Sequence, residues 1–263
     1  TLEVKEFKDK VTNAPYNAVS GKLTLKTGED ETQVISYFEK ELTKKGDQNK
    51  NFKALKTAME KMVTLADIAQ GLAEGTPSNL TCQGELGLNE YRNQEGNVIS
   101  NVQINGKFSP QTYKDEAPFE FKAEFDVQGI VAKDAEYETD KDDNETGRIK
   151  IELLVPLYGG KIIPLSFVTA TTLPQLGKDY ITDNFTKNAS INVYGNMVNI
   201  NKKNERVIEG GFGESKVETT YDRLREFVAT GGSFYEEESK DIFDVSLLKE
   251  AKADAPLIHY VEA

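Results

Sequence analysis

"SINVYGNMVNINKKNE", residues 190–205, alternates strictly: Ile191, Val193, Gly195 and Met197 fall on one side, Ser190, Asn192, Tyr194 and Asn196 on the other. A two-residue period of this kind belongs to a strand with one face buried. "LTCQGELGLNEYRNQEG", residues 80–96, repeats the pattern, with Leu80, Cys82, Gly84, Leu86 and Leu88 in phase and the glycine again on the apolar side. A second pair, "AVSGKLTLK" and "FEFKAEFDVQGIV", puts Gly21 and Gly129 in phase with their apolar neighbours. The spacings, 108 from Gly21 to Gly129 and 111 from Gly84 to Gly195, agree within three residues. Two glycine-marked strands recurring in order at one spacing point to a duplicated β unit. Inward glycines mark bulges or bends, the device that curls a short sheet into a barrel.

Between the marked strands each half has room for a hairpin and a helix. "GRIKIELLVPLYGGKIIPLSFVT" alternates from Arg148, turns at residues 158–161 and alternates again, as a hairpin does. "TLPQLGKDYITDNF" follows as a short helix or turn. The first half offers a strand, "ETQVISYFEKEL", then Phe52, Leu55, Met59, Met62 and Val63 at helical spacing, with Gly71 ending the run. Its second hairpin strand is not evident. Strand, strand, strand, helix, strand, strand in a curled sheet is the order of the OB-fold, a five-stranded barrel that commonly binds oligonucleotides. Pattern alone leaves SH3-like barrels and a sandwich open.

"GELGLNEYRNQEGNVISNVQINGKF", "INVYGNMVN" and "REFVATGGSFYEEE" together resemble the tandem OB-fold single-stranded-DNA-binding proteins of bacteriophages and prophages of Gram-positive bacteria, over roughly residues 15–240. The expected architecture is mainly β, two tandem OB-fold-like five-stranded barrels plus a C-terminal acidic tail or helix. Residues 1–115 form the first barrel, with an inserted helix at about 50–71; residues 116–215 form the second and 216–263 the acidic extension.

Composition narrows the function. The chain has 263 residues and a net charge of −12, with no apolar run long enough to span a bilayer as a helix. The start, "TLEVKEFKDK", lacks the apolar core of a signal peptide, and a single cysteine, Cys82, forbids an internal disulfide, so a bacterial cytoplasm is expected. The negative total conceals basic stretches: residues 149–208 hold seven Lys/Arg against four Asp/Glu, and residues 209–263 hold six against thirteen. Local patches decide what a surface attracts, because salt screens charges beyond roughly 8 Å. One histidine, His259, and one cysteine leave no His/Cys metal site and no ordinary triad. "DKDDNETGRIKI" imitates a calcium loop at Asp140, Asp142 and Asn144 but has Glu145 where the glycine belongs, so it reads as a mobile acidic loop. Neither an enzyme nor a cofactor is expected.

Single strands are held by stacking on aromatics beside Lys/Arg that track phosphates. In the second half the candidates are Arg148, Lys150, Tyr158, Lys161 and Tyr194, with Lys202, Lys203 and Arg206 in a strand 4–5 loop, "NINKKNER". In the first half they are Tyr37, Lys44 and Lys45, then Tyr91 and Arg92 in the equivalent loop, and Lys107 beyond it. The end of the chain reads by itself as a short helix at about 245–252. The resemblance implies instead an acidic tail whose apolar tip, Leu257, Ile258 and Tyr260, recruits replication or recombination proteins. The implied partner of the whole chain is single-stranded DNA, in phage replication or recombination. The main rival is an acidic protein–protein module or DNA-mimic inhibitor, and a virion structural protein ranks below it.

Overall fold

The structure, a computed structural model, describes residues 1–113, 118–157, 160–208, 216–236, 239 and 242–243. The chain divides into two compact units, Thr1–Leu25 with Gln33–Phe121, and Lys26–Thr32 with Lys122–Ala263.

In the second unit, β8 (Glu124–Val131), β9 (Glu136–Thr139), β10 (Glu145–Pro156) and β11 (Ile162–Thr169) precede helix α3 (Gln175–Asn184), and β12 (Ser190–Ile208) and β13 (Lys216–Phe234) follow it. The ladder runs β11-β13-β12-β8-β10, and β10 pairs β11 again, so five strands close into a barrel with β9 appended to β10. The β11–β13 contact is parallel, through Val168 with Val228 and Thr169 with Ala229. Inward alternation fills the barrel with Ile149, Ile151, Leu153, Ile163, Ile191 and Val193, each at most 1% exposed. Full burial of such side chains is worth roughly 1.5–3 kcal/mol apiece. Phe125, Phe167 and Phe227 close one region of the core with ring centroids 5.2–5.5 Å apart.

Two inward glycines are explained by close approach. Strand β8 pairs with β12 through Ile130 and with β10 through Ile130 and Val131. Gly129 sits at this handover, where an added Cβ would lie 3.0 Å from the Leu154 carbonyl oxygen. At Gly195 the β12–β13 register skips a residue, and a Cβ would strike the Val228 carbonyl oxygen and lie 2.8 Å from the Thr230 nitrogen. The bulge expected from the repeat is there.

The first unit contains β1 (Leu2–Lys8), β2 (Pro15–Lys26) and β3 (Thr32–Lys40), then helices α1 (Lys50–Lys61) and α2 (Leu65–Ala69). After them come β4 (Leu80–Thr81), β5 (Gly84–Arg92), β6 (Val98–Gly106) and β7 (Gln111–Thr112); β4 and β7 form a small separate ladder. The main sheet runs β1-β2-β3-β6-β5, and β3 and β6 are parallel through Ile35 with Ile104. This is the strand order of the second unit, with no β1–β5 ladder among the described residues to close it. Helix α1 starts where the Asn49 side chain accepts from the Asn51 nitrogen at 2.9 Å, and places Phe52, Leu55 and Met59 against Val19, Ile35 and Tyr37.

Four expectations are corrected. The missing hairpin strand is β1: "LEVKEFK" puts charge on both faces and hides its period, so Gly21 lies in a second strand whereas Gly129 lies in a first. The single helix expected at 50–71 is two, because Thr64 and Asp67 cap α2 reciprocally, with 3.0 Å and 2.9 Å bonds. The acidic segment, expected as a loop, forms a hairpin: the Asp140 carboxylate accepts from the Asp142 and Asn144 nitrogens at 2.8 and 2.9 Å, and β9 pairs with β10. Finally, "NINKKNER" is not a loop. β12 and β13 pair continuously from Gly195–Ala229 to Ile208–Lys216, so residues 216–234, expected in the extension, are the fifth strand of the second barrel.

Candidate nucleic-acid interface

Alternation sorts the β1–β3 sheet into two faces. Val19, Leu23, Leu25, Ile35 and Tyr37 point to the core, which leaves Phe7, Tyr16, Lys22, Lys26, Val34, Phe38 and Lys40 outward. A tight turn between β1 and β2 aligns the first aromatics. The Asp9 carboxylate accepts from the Val11 and Thr12 nitrogens at 3.0 and 2.9 Å, and Asn13 adopts φ 57°. Hydrogen bonds from the Thr12 and then the Val11 backbone hold this carboxyl below its ordinary value. Phe7 and Tyr16 therefore face each other across the ladder, stacked at 5.8 Å and 22°. Phe38 meets Phe7 edge-on at 5.3 Å and remains 51% exposed. The Lys40 ammonium lies 4.2 Å from the Tyr16 centroid. On the same face Lys5 is paired with Glu3 at 2.5 Å. Three rings beside Lys40, with Lys22 further along β2, offer π surfaces and positive charge, the combination that holds unpaired bases and their phosphates.

The expected residues are distributed differently. Tyr37, expected at a surface, is 3% exposed inside the first core, so the outward neighbour Phe38 is the accessible ring. The Tyr37 hydroxyl, with no nitrogen or oxygen partner among the described residues, faces the Cys82 thiol. Burial pushes that thiol up to about 11. Lys44 and Lys45 are exposed in the turn after β3, and Lys107 pairs with Glu85 at 2.5 Å. Tyr91 is half exposed near the end of β5, where Arg92 donates to the Gly96 carbonyl at 3.0 Å.

In the second unit Arg148 is structural rather than available. Its guanidinium binds Glu226 bidentately at 2.8 and 3.2 Å and donates to the Thr169 carbonyl at 3.1 Å, with its side chain 18% exposed. Lys150 pairs with Glu152 at 2.7 Å, and Glu152 also meets Lys133 at 3.5 Å. The outer β10–β11 face carries Leu154, Pro156, Ile162 and Pro164, with no aromatic ring among its described residues. Lys161 closes the β10–β11 hairpin, its carbonyl accepting from the Leu157 nitrogen at 2.7 Å. Tyr194 is exposed, its ring lying over Gly231, where any Cβ would overlap it. Lys202, Lys203 and Arg206 are exposed on β12, with Lys203 alone on the opposite face to the other two. Tyr158, Leu257, Ile258, Tyr260 and the 245–252 helix lie outside the described residues.

Phe7 and Tyr16 were missed by sequence reading. Their signal is the placement of two aromatics on either side of "KDKVTNAP", whose Asp, Asn and Pro are turn formers.

Strand order 1-2-3-5-4, a parallel pair between the third and fifth strands, and a helix before the fourth place the chain in the class of OB-fold barrel proteins. The chain belongs to the YorF family, whose model matches residues 1–258. Among solved structures it is similar to the wild-type single-stranded DNA binding protein from Thermus aquaticus, at 9% identity and a TM-score of 0.45, over 90% of this chain and 88% of that one. It is also similar to a deletion variant of that protein, at 11% identity and a TM-score of 0.46, over 92% of each chain. No curated protein sequence matches.

Proposed function

We propose that the chain binds single-stranded DNA without catalysis, stacking bases on Phe7, Tyr16 and Phe38 while Lys22 and Lys40 meet phosphates. The observation that carries this reading is the three-ring cluster beside the Lys40 ammonium, with Phe38 exposed and Phe7 and Tyr16 half-buried, on the outer face of the strands an OB sheet offers to oligonucleotides. Burying these rings in the core would be the ordinary use of three aromatics, and leaving Phe38 half in solvent costs apolar burial that a stacked base restores. Each stacked base contributes roughly 1–3 kcal/mol. Lys44, Lys45 and Tyr91 extend the contact at the exposed ends of β3 and β5. A setting in phage DNA replication or recombination in a bacterial host is part of the proposal and is supported by the family resemblance of the sequence. The test is fluorescence anisotropy of a labelled oligo-dT over a salt series. Binding that weakens steeply with salt, and is lost on Phe38→Ala with Lys40→Ala, supports the proposal; no binding at low salt overturns it.

A further inference from the structure

Strands β12 and β13 outlast the barrel. β8 follows β12 only to Asn196, and β11 meets β13 at Val168 and Thr169, yet the two long strands remain paired to Ile208 and Lys216. At its base Glu31 lies opposite Ile200 and the Asn201 nitrogen donates to the Asp30 carbonyl at 3.1 Å, so the two strands run on alone from Lys202 to Ile208, about 23 Å at ~3.3 Å per residue.

Its two faces differ in charge. On one, Asn201, Lys203 and Glu205 lie opposite Arg223, Tyr221 and Thr219, with Arg225 on the same face. That face has three cations and one carboxylate. On the other, Lys202 lies opposite Asp222 and Arg206 opposite Glu218; with Lys216 and Glu226 added, cations and carboxylates number three each. Asn204 also donates to Asp222 at 2.6 Å. The first face is not self-compensated. Arg223 and Arg225 are exposed, two residues apart on one strand, and make no ion pair among the described residues. The Arg223 guanidinium lies 5.7 Å from the Tyr221 centroid, and Lys203 pairs with Glu205. Two arginines on one strand face repel each other, while the Tyr221 ring holds Arg223 through a cation–π contact.

We propose that this cationic face is a duplex-DNA arm which lies in the major groove. A two-stranded ribbon fits a groove ~12 Å wide, and guanidinium and carboxamide groups are the side chains that pair bidentately with guanine and adenine edges there. The face has one ring, Tyr221, against three on the β1–β3 face, so it is built for donors rather than for stacking. The inference goes beyond single-strand binding and does not depend on it, and a chain with both sites would hold single strand and duplex at separate places.

The test is anisotropy titration of the full chain with a labelled blunt 24-base-pair duplex and, separately, with oligo-dT. The variants are Arg223→Ala/Arg225→Ala, the equally charged Lys202→Ala/Arg206→Ala from the opposite face, and Phe38→Ala. All replace exposed side chains. The expected result is at least tenfold weaker duplex binding for the arginine pair, a loss under threefold for the opposite-face pair, and no effect of Phe38→Ala on duplex. Absence of duplex binding at 50 mM salt, equal losses for both pairs, or an arginine effect seen only with oligo-dT would overturn the proposal. Loss of oligo-dT binding alone in Phe38→Ala bears on the single-strand reading and leaves this one standing.

Discussion

Tyr37 and Phe38 are adjacent and opposite in role, and separating them tests the parity on which the interface rests. Tyr37 is 3% exposed among Val19, Ile35, Phe52 and Leu55. Truncating a ring of this size in a core costs about 3–5 kcal/mol of stability through lost transfer energy and the cavity left behind. Phe38 is 51% exposed and its best contact is one edge-to-face pair with Phe7. Its truncation should cost about 0.5–1.5 kcal/mol of stability, the value of an aromatic pair. Binding should show the reverse. Phe38→Ala loses roughly 1–3 kcal/mol of single-strand affinity, about 5- to 150-fold, as one stacked base is given up. Tyr37→Ala, measured below its lowered melting temperature, keeps its affinity per folded molecule. Chemical denaturation read by circular dichroism and oligo-dT anisotropy on the same preparations supply both numbers. If Phe38→Ala destabilises the fold as much as Tyr37→Ala, or if it binds oligo-dT like the unsubstituted chain, the assignment of faces is refuted.

Three further outcomes follow from the packing. Arg148→Ala strands Glu226, 22% exposed, without its bidentate partner, so stability falls by about 1–3 kcal/mol while DNA affinity is unchanged; a double-mutant cycle with Glu226→Ala, read by denaturation, should recover most of that loss as coupling. Gly195→Ala forces a methyl group against the Val228 carbonyl and the Thr230 nitrogen and should cost about 1–3 kcal/mol, measured by thermal unfolding; a neutral result would mean that the bulge yields freely. The partly buried Cys82 thiol is protonated at neutral pH, so a disulfide exchange reagent at pH 8 should modify it slowly in the native chain and rapidly in denaturant. Because folding raises the Cys82 value from 9.0 to about 11, its contribution to stability is complete below pH 9 and declines as pH rises from there towards 11. Cys82→Ala should flatten that decline.

The strands of the second barrel were legible because both of its faces are chemically distinct. Ile149, Ile151 and Leu153 alternate with polar residues, and the glycine at 195 marked the bulge. The first strand of the first unit was not. Its inward residues are Leu2 and Val4 followed by Glu6, and its outward ones are Glu3, Lys5 and Phe7, so composition does not separate its faces. That omission shifted the repeat by one strand and left Phe7 and Tyr16 unnoticed. At Tyr37 and Phe38 two adjacent aromatics both satisfy a strand period, and only the fit of Tyr37 beside Gly106, where a Cβ would overlap its ring, decides which turns inward. The ribbon was misread for a different reason. "NINKKNER" is as polar as a loop, and its partner strand lies in a segment whose thirteen acidic residues outnumber its six basic ones. Charge counted along the chain averages over both faces; pairing Lys203 with Tyr221 and Asn201 with Arg223 sorts them. Arg148 stood on the expected outward parity, but its partner Glu226 is 78 residues away and no local pattern announces the pair.

Ultraviolet crosslinking of oligo-dT to the full chain, with the modified peptides identified by mass spectrometry, tests the central claim most directly. The account predicts crosslinks at Phe7, Tyr16 or Phe38 that disappear in the presence of excess unlabelled oligo-dT. Crosslinks confined to other residues, or none under conditions where anisotropy reports saturation, would contradict it.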